Sequence, residues 1–120
     1  MATPSAHSDL KVRTKEFALR IIRLYSALPP KLEAQILGKQ VLRSGTSVGA
    51  QYREAGRARS AAEYISKVQG SLQELEETAY WLELLVESQI IDSEKLKGLL
   101  QETSELIAIF TTLVQKARRS

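Results

Sequence analysis

The side chains that most often perform chemistry in proteins are scarce in this sequence of 120 residues. It contains no Cys and a single His, His7, near its start. The chain therefore has no thiolate and only one imidazole with which to bind a metal, and only one His for acid–base catalysis. Because no disulfide framework is possible either, the sequence favours a reducing compartment such as the cytoplasm.

The acidic residues are the next candidates, because paired carboxylates can bind metal ions. Di-iron sites in helical bundles need inward-facing Glu and Glu-x-x-His pairs on facing helices, and no such pair occurs here. We expect the acidic cluster to lie on a solvated helix face and to form ion pairs. Its members are Glu74, Glu76, Glu77, Glu83 and Glu87.

A phosphate-binding loop is also excluded by its missing parts. The glycine-containing segment 45–49 lacks both the Gly-Lys-Ser/Thr ending and the preceding strand of such a loop. We therefore predict no catalytic residue, no metal and no cofactor, and a protein that is not an enzyme. An enzyme that uses Glu together with Lys or Arg is the remaining alternative.

Four basic residues, Lys39, Arg43, Arg53 and Arg57, share one side of a predicted helix. At about 100° per residue they fall within roughly 80° of one another and form a line of ~27 Å. Such a line can contact nucleic-acid phosphates by charge, whereas the alternative is an ordinary solvated or ion-paired face. The formal net charge of +3 is too small to decide between them.

The elements that position these residues are predicted to be helices, because strong helix formers fill the chain and no strand alternation persists. Pro29 should end the first helix, and Pro30 suits the first turn of the second. Ser60 and Glu63 form a capping box before the third helix, and Asp92 is a suitable N-cap for the fourth.

These boundaries predict one domain over residues 1–120. The short connections favour an all-α, antiparallel (up-down-up-down) four-helix bundle. No apolar run is long enough for a membrane span, and the first residues do not resemble a signal peptide, so we expect no membrane association. The predicted segments are a disordered tail over 1–8 and helices over roughly 9–28, 31–56, 61–88 and 93–117.

The second predicted helix contains four glycines, Gly38, Gly45, Gly49 and Gly56, although each costs about 1 kcal/mol relative to Ala in a helix interior. Their spacing places all four within roughly 40° of one another. We interpret them as a smooth stripe against which another helix packs closely. The alternative is a break or hinge in the helix at residues 45–47.

Two predicted helices carry apolar residues away from their core stripes. On the first helix these are Val12, Leu19 and Ile22, and on the third they are Trp81, Leu84 and Leu85. One bundle core cannot cover both sides of a helix, and a grouped set of this kind is typical of an interface. The pattern therefore predicts a homo-oligomer.

Several segments carry a resemblance to a known family. They are Ser47-Val-Gly-Ala-Gln-Tyr-Arg-Glu-Ala-Gly56, Glu63-Tyr-Ile-Ser-Lys67 and Glu77-Thr-Ala-Tyr-Trp-Leu-Glu-Leu-Leu85. The chain resembles the bacterial four-helix bundle proteins called 23S rRNA intervening-sequence proteins over about Leu10 to Arg118. Gln51 stands where that family usually has Asn.

This resemblance implies a homopentameric ring in the bacterial cytoplasm, and it implies little chemistry. Together with the residues above, it favours a non-enzymatic oligomeric scaffold. Its candidate partners are RNA or a nucleic-acid-processing protein, contacted through the basic line. The alternative is a purely structural or protein-binding oligomer without nucleic-acid activity.

Overall fold

The computed structural model describes residues 6–119, and within that range it contains four α-helices and no strand. The helices are α1 (Ala6–Ala27), α2 (Leu32–Ala55), α3 (Ala61–Glu87) and α4 (Ser93–Arg119). The all-α class with four helices is therefore confirmed. None of the four described helices combines the length and the apolar character that a bilayer-crossing segment requires.

Two predicted helix starts have the expected hydrogen bonds. The Ser60 hydroxyl accepts from the Glu63 backbone N–H at 3.0 Å, and the Asp92 carboxylate accepts from the Glu94 N–H at 3.1 Å. These bonds satisfy amide donors that the first turn of a helix leaves without an intrahelical partner. Side chains thus fix the start of α3 and of α4.

The ends of α1 and the start of α2 differ from the prediction. Pro30 is not in the first turn of α2, because Lys31 is extended (φ −89°, ψ 147°) and serves as the N-cap. Residues 6–8, predicted to be disordered, are helical, since neither Pro nor Gly interrupts the chain between Pro4 and Leu28. The rest of the predicted tail, residues 1–5, lies outside the described part.

All four helices contribute to one apolar core. Tyr52 of α2 packs edge-on against Phe110 of α4, with ring centroids 5.5 Å apart. Each large aliphatic or aromatic side chain that is fully buried contributes roughly 1.5–3 kcal/mol to stability. The largest of those with almost no exposed surface are Phe17, Phe110, Leu10, Ile21, Leu75, Leu82, Leu85 and Leu106.

The close approach of α1 to α2 occurs over three of the four predicted stripe glycines. A Cβ at Gly38 would lie 2.5 Å from Leu28 Cδ1, and one at Gly45 would lie 2.7 Å from Ile21 Cγ1. At Gly49 it would lie 3.0 Å from Thr14 Oγ1. α2 is continuous through residues 45–47, so the structure has no break at that point.

Gly56 does not belong to this stripe, contrary to the prediction. It caps α2 at the exposed end of the helix, and its only near neighbour is the Arg53 carbonyl of its own helix. Its φ of −64° is open to any residue. The helical spacing places Gly56 on the same side of α2 as the other three glycines, but no residue of α1 lies near Gly56.

Small residues also bring α3 against α2. The Ser44 and Thr78 hydroxyls are 2.7 Å apart, and Ser71 Oγ donates to the Val48 carbonyl at 2.8 Å. Because these hydroxyls are buried, their hydrogen bonds offset the free-energy cost of removing them from water.

The side-chain amide of Gln51 lies over Gly70, at a place that any Cβ would occupy. Gln51 is therefore accommodated on α2 because α3 has no side chain opposite it.

α1 contacts α4 less extensively than it contacts α2, and part of the α1–α4 contact is ionic. Arg13 of α1 donates two hydrogen bonds to the Glu102 carboxylate of α4, at 2.6 and 3.2 Å, and a third to Glu105 at 3.3 Å. The hydrogen bond from Arg13 to Glu102, opposed by partial burial, raises the pKa of Arg13 above its usual value. The Arg13–Glu102 ion pair thus joins the first helix to the last.

We predict that Gly49→Leu destabilises the protein by about 1–3 kcal/mol or more through overpacking. Thr14 cannot move aside easily, because it is fully buried and its hydroxyl donates to the Leu10 carbonyl at 2.6 Å. Gly49→Ala should cost less, since the single Cβ requires only a small displacement of Thr14. Urea denaturation followed by circular dichroism measures both changes.

Gly56→Ala is the matched control, because the added methyl group makes only an ordinary van der Waals contact, 3.4 Å from the Arg53 carbonyl oxygen, and the φ suits Ala. It should be neutral or slightly stabilising. If Gly49→Leu unfolds at the same urea concentration as the parent, the helix contact at Gly49 is not tight and the packing interpretation is wrong.

Candidate interaction surfaces

The outer face of α1 exposes three apolar side chains that point away from the core. Val12 is 58% exposed, Leu19 is 37% exposed and Ile22 is 43% exposed. They lie on the side of α1 opposite Leu10, Phe17 and Ile21, which are completely buried. The structure therefore places all three predicted interface residues of α1 on one outer face, where the described residues leave them exposed.

The predicted interface residues of α3 are distributed differently. Leu84 is partly exposed, whereas Leu85 is completely buried in the core and cannot form an outer interface. The prediction for Leu85 is wrong because neighbouring helical residues point about 100° apart, which turns Leu85 inward when Leu84 faces outward. Trp81 is half-buried and packs against the core, with its ring centroid 5.2 Å from that of Tyr80.

Three exposed apolar residues were not predicted as interface residues. Leu32 and Ile36 lie one turn apart at the start of α2, and Leu32 is 76% exposed. Tyr80 is exposed beside Trp81. The i, i+4 spacing of Leu32 and Ile36 away from the core stripe of α2 was the signal in the sequence that would have identified them.

The predicted basic line is not a row of four free cations. The Arg43 guanidinium donates to the Glu77 carboxylate at 2.7 Å and to Glu74 at 3.3 Å, across the seam between α2 and α3. Partial burial opposes its charge, but the hydrogen bond to Glu77 and the charges of both carboxylates outweigh burial and raise the pKa of Arg43. Arg43 is therefore an ion-paired residue of the helix seam.

The other members of the line remain exposed. Lys39 and Arg53 lie on α2, whereas Arg57 lies just beyond its end, in the connection to α3. The ion pairs of the described residues include none of these three side chains. Glu54, which follows Arg53, is paired with Lys67 of α3 at 2.6 Å.

Two members of the acidic cluster of α3 contribute to this seam. Glu74 and Glu77 both bind Arg43. Among the side chains that the structure describes, no group of three or more His, Asp or Glu is close enough to hold a metal ion. His7 lies in α1, but its side chain is outside the described part.

Two grooves on the bundle surface carry opposite charges. The groove between α1 and α2 has small side chains such as Ala18 and Ala50 along it, with Lys15 and Arg53 at its edges. The groove between α3 and α4 is bordered by Glu83 and Glu87. The two sides of the subunit thus differ in charge as well as in shape.

Comparisons with known proteins give one matching family and one similar solved structure. A family model described as 23S rRNA-intervening sequence protein matches residues 8–112. Among solved structures, the chain is similar to a crystal structure of a protein of unknown function from the S23 ribosomal protein family of Bacteroides thetaiotaomicron. That structure has a TM-score of 0.82 and 38% sequence identity, and the match covers 87% of this chain and 96% of that one. A search of curated proteins found no match.

Proposed function

This chain belongs to the 23S rRNA-intervening sequence protein family, and from that premise we propose that it is a non-enzymatic scaffold whose copies assemble into a ring. The observation that carries the proposal is the outer apolar face of α1, formed by Val12, Leu19 and Ile22. Exposed apolar residues grouped on one face favour a partner surface, because water is released when they are covered.

The proposed subunit is an antiparallel, up-down-up-down bundle. The order of contacts between α1 and α2 supports this course, since Gly38 faces Leu28 whereas Gly49 faces Thr14. The contacts between α2 and α3 reverse in the same way, in the pairs Ser44 with Thr78 and Val48 with Ser71. Helices that run in alternating directions are joined by the short connections seen here.

A ring requires two different surfaces on each subunit that complement each other. In the proposed bundle the groove between α1 and α2 is on the opposite side from the groove between α3 and α4. The first groove has basic edges at Lys15 and Arg53, and the second has acidic edges at Glu83 and Glu87. Contact between the basic side of one copy and the acidic side of the next supports head-to-tail assembly, which we propose closes at five subunits, as the family resemblance implies.

We predict that the protein in solution has a mass of about five times 13.4 kDa. The double variant Leu19→Arg, Ile22→Arg should dissociate it, because two charges in an apolar interface lose their hydration without gaining partners. Helicity should be kept, since both side chains are exposed in the subunit. Light scattering and circular dichroism measure the two properties.

Ala108→Arg is the control, because Ala108 is exposed and lines neither of the two grooves that the proposed ring contact uses. This variant should keep the assembled mass. A wild-type protein that is monomeric at tens of micromolar contradicts the proposal, and so does a double variant that retains the wild-type mass.

RNA binding is a second candidate function, and one observation favours it. Lys39, Arg53 and Arg57 are exposed and take part in none of the ion pairs of the described residues. Lys39 and Arg57 lie outside the α1–α2 groove that the ring contact uses. Two charges on one subunit bind a polyanion weakly, but a closed ring repeats them, and several contacts to one strand reinforce each other. The role of Arg43 in the seam removes it from this proposed surface.

We predict that Lys39→Glu, Arg57→Glu weakens binding of a labelled single-stranded RNA at low salt by at least tenfold, because phosphate contacts release counterions. Wild-type binding should also fall steeply between low and moderate salt. Lys97→Glu on α4 is the control and should have a smaller effect. Identical titrations for the wild type and the double variant, or no binding at low salt, would leave the protein-binding scaffold as the function.

A further inference from the structure

The seam between α1 and α4 is closed at one end and open at the other. The Arg13 to Glu102 ion pair closes it, whereas towards the end of α1 the helices leave a half-open cavity of about 400 Å³. Small-molecule sites are commonly of this size, from roughly 300 to 1,000 Å³. The residues of the α3–α4 connection, Ile90 and Ile91, form part of its wall.

The floor of this cavity is aliphatic, and no aromatic residue lines it. Such a floor favours a hydrocarbon body and offers no surface for stacking a nucleic-acid base. The aliphatic side chains that form it are Leu24, Leu96 and Leu99 with Ile90 and Ile91.

Three cations stand at the rim of the cavity, namely Arg20, Arg23 and Lys95. The described ion pairs include none of them, whereas Arg13, Arg43 and Lys67 all bind carboxylates. The single acidic lining residue is Asp92, whose carboxylate accepts the Glu94 N–H as the cap of α4. The rim thus carries an excess of positive charge beside an apolar floor.

Arg20 lies close to α4 at the wall of the cavity, where Gly98 has no side chain. A Cβ at Gly98 would be only 3.1 Å from the Arg20 Nη2. A guanidinium can donate two parallel hydrogen bonds to a carboxylate or phosphate head group. Arg23 and Lys95 add two further donors at the same rim.

We propose that this cavity binds a small amphiphilic anion, with a carboxylate or phosphate head group at Arg20, Arg23 and Lys95 and an aliphatic body on the leucine and isoleucine floor. The proposal is independent of ring assembly and of RNA binding. A free carboxylate and an alkyl phosphate share the required chemistry, and the test below separates them.

The test is a titration of methyl-labelled protein followed by nuclear magnetic resonance, with the Ile90 and Ile91 methyl signals as reporters. The probes are octanoate, octyl phosphate, octanol and octyltrimethylammonium, with octanol below its solubility limit and the others below their critical micelle concentrations. We expect saturable shifts of these methyl signals with octanoate or octyl phosphate, and at least tenfold weaker binding of octanol and of the ammonium. The tighter of the two anions identifies the head group.

Arg20→Gln, Arg23→Gln should weaken anion binding at least tenfold and leave octanol binding unchanged. Ala27→Phe, which fills the mouth of the cavity and keeps its charges, should block both. Arg57→Gln, Arg59→Gln in the α2–α3 connection removes the same charge elsewhere and should bind as the wild type does. Equal binding of octanol and octanoate, no shift at Ile90 and Ile91, or an equal loss in the control variant would overturn the proposal.

Discussion

The close packing of α1 and α3 on α2 is the constraint on which the rest of the structure depends. One flank of α2 presents Gly38, Gly45 and Gly49 to α1, and the other presents Ser44 to Thr78 of α3. Side chains without bulk allow these helices to approach closely, which gains dispersion contacts that offset the low helix propensity of glycine. Because both flanks of α2 are used in this way, its outer face is the part left for solvent or for a partner.

The close packing also determines where charges are placed. At the α2–α3 seam Arg43 binds Glu74 and Glu77, and Lys67 binds Glu54, so that opposite charges meet where the helices are nearest. Arg43, Glu77, Lys67 and Glu54 are all substantially exposed, so solvent screens these pairs and they contribute little stability. They favour the observed register of α3 on α2, because a shifted register would separate these opposite charges.

Local patterns in the sequence were sufficient for the helices and for three of the stripe glycines. Helix phase follows from about 100° per residue, and caps such as Ser60 depend on residues three positions apart. Tertiary relations were not readable in this way. Leu84 and Leu85 have the same side chain, and only the positions of the neighbouring helices decide that Leu85 is inside. The partners of Arg43 are more than thirty residues away in the chain, and Gln51 over Gly70 is a contact that neither segment reveals alone.

The outer face of α1 is the part of the proposed assembly that packing within the subunit does not explain. Core packing accounts for Leu10, Phe17 and Ile21, which are fully buried, but not for Val12, Leu19 and Ile22 on the opposite side. In the proposed assembly these three apolar residues would be buried against a neighbouring copy. Such burial would also stabilise the subunit, because a partner that binds only the folded form shifts the folding equilibrium toward it. Folding and assembly would then be coupled through α1, which packs on the glycines of α2.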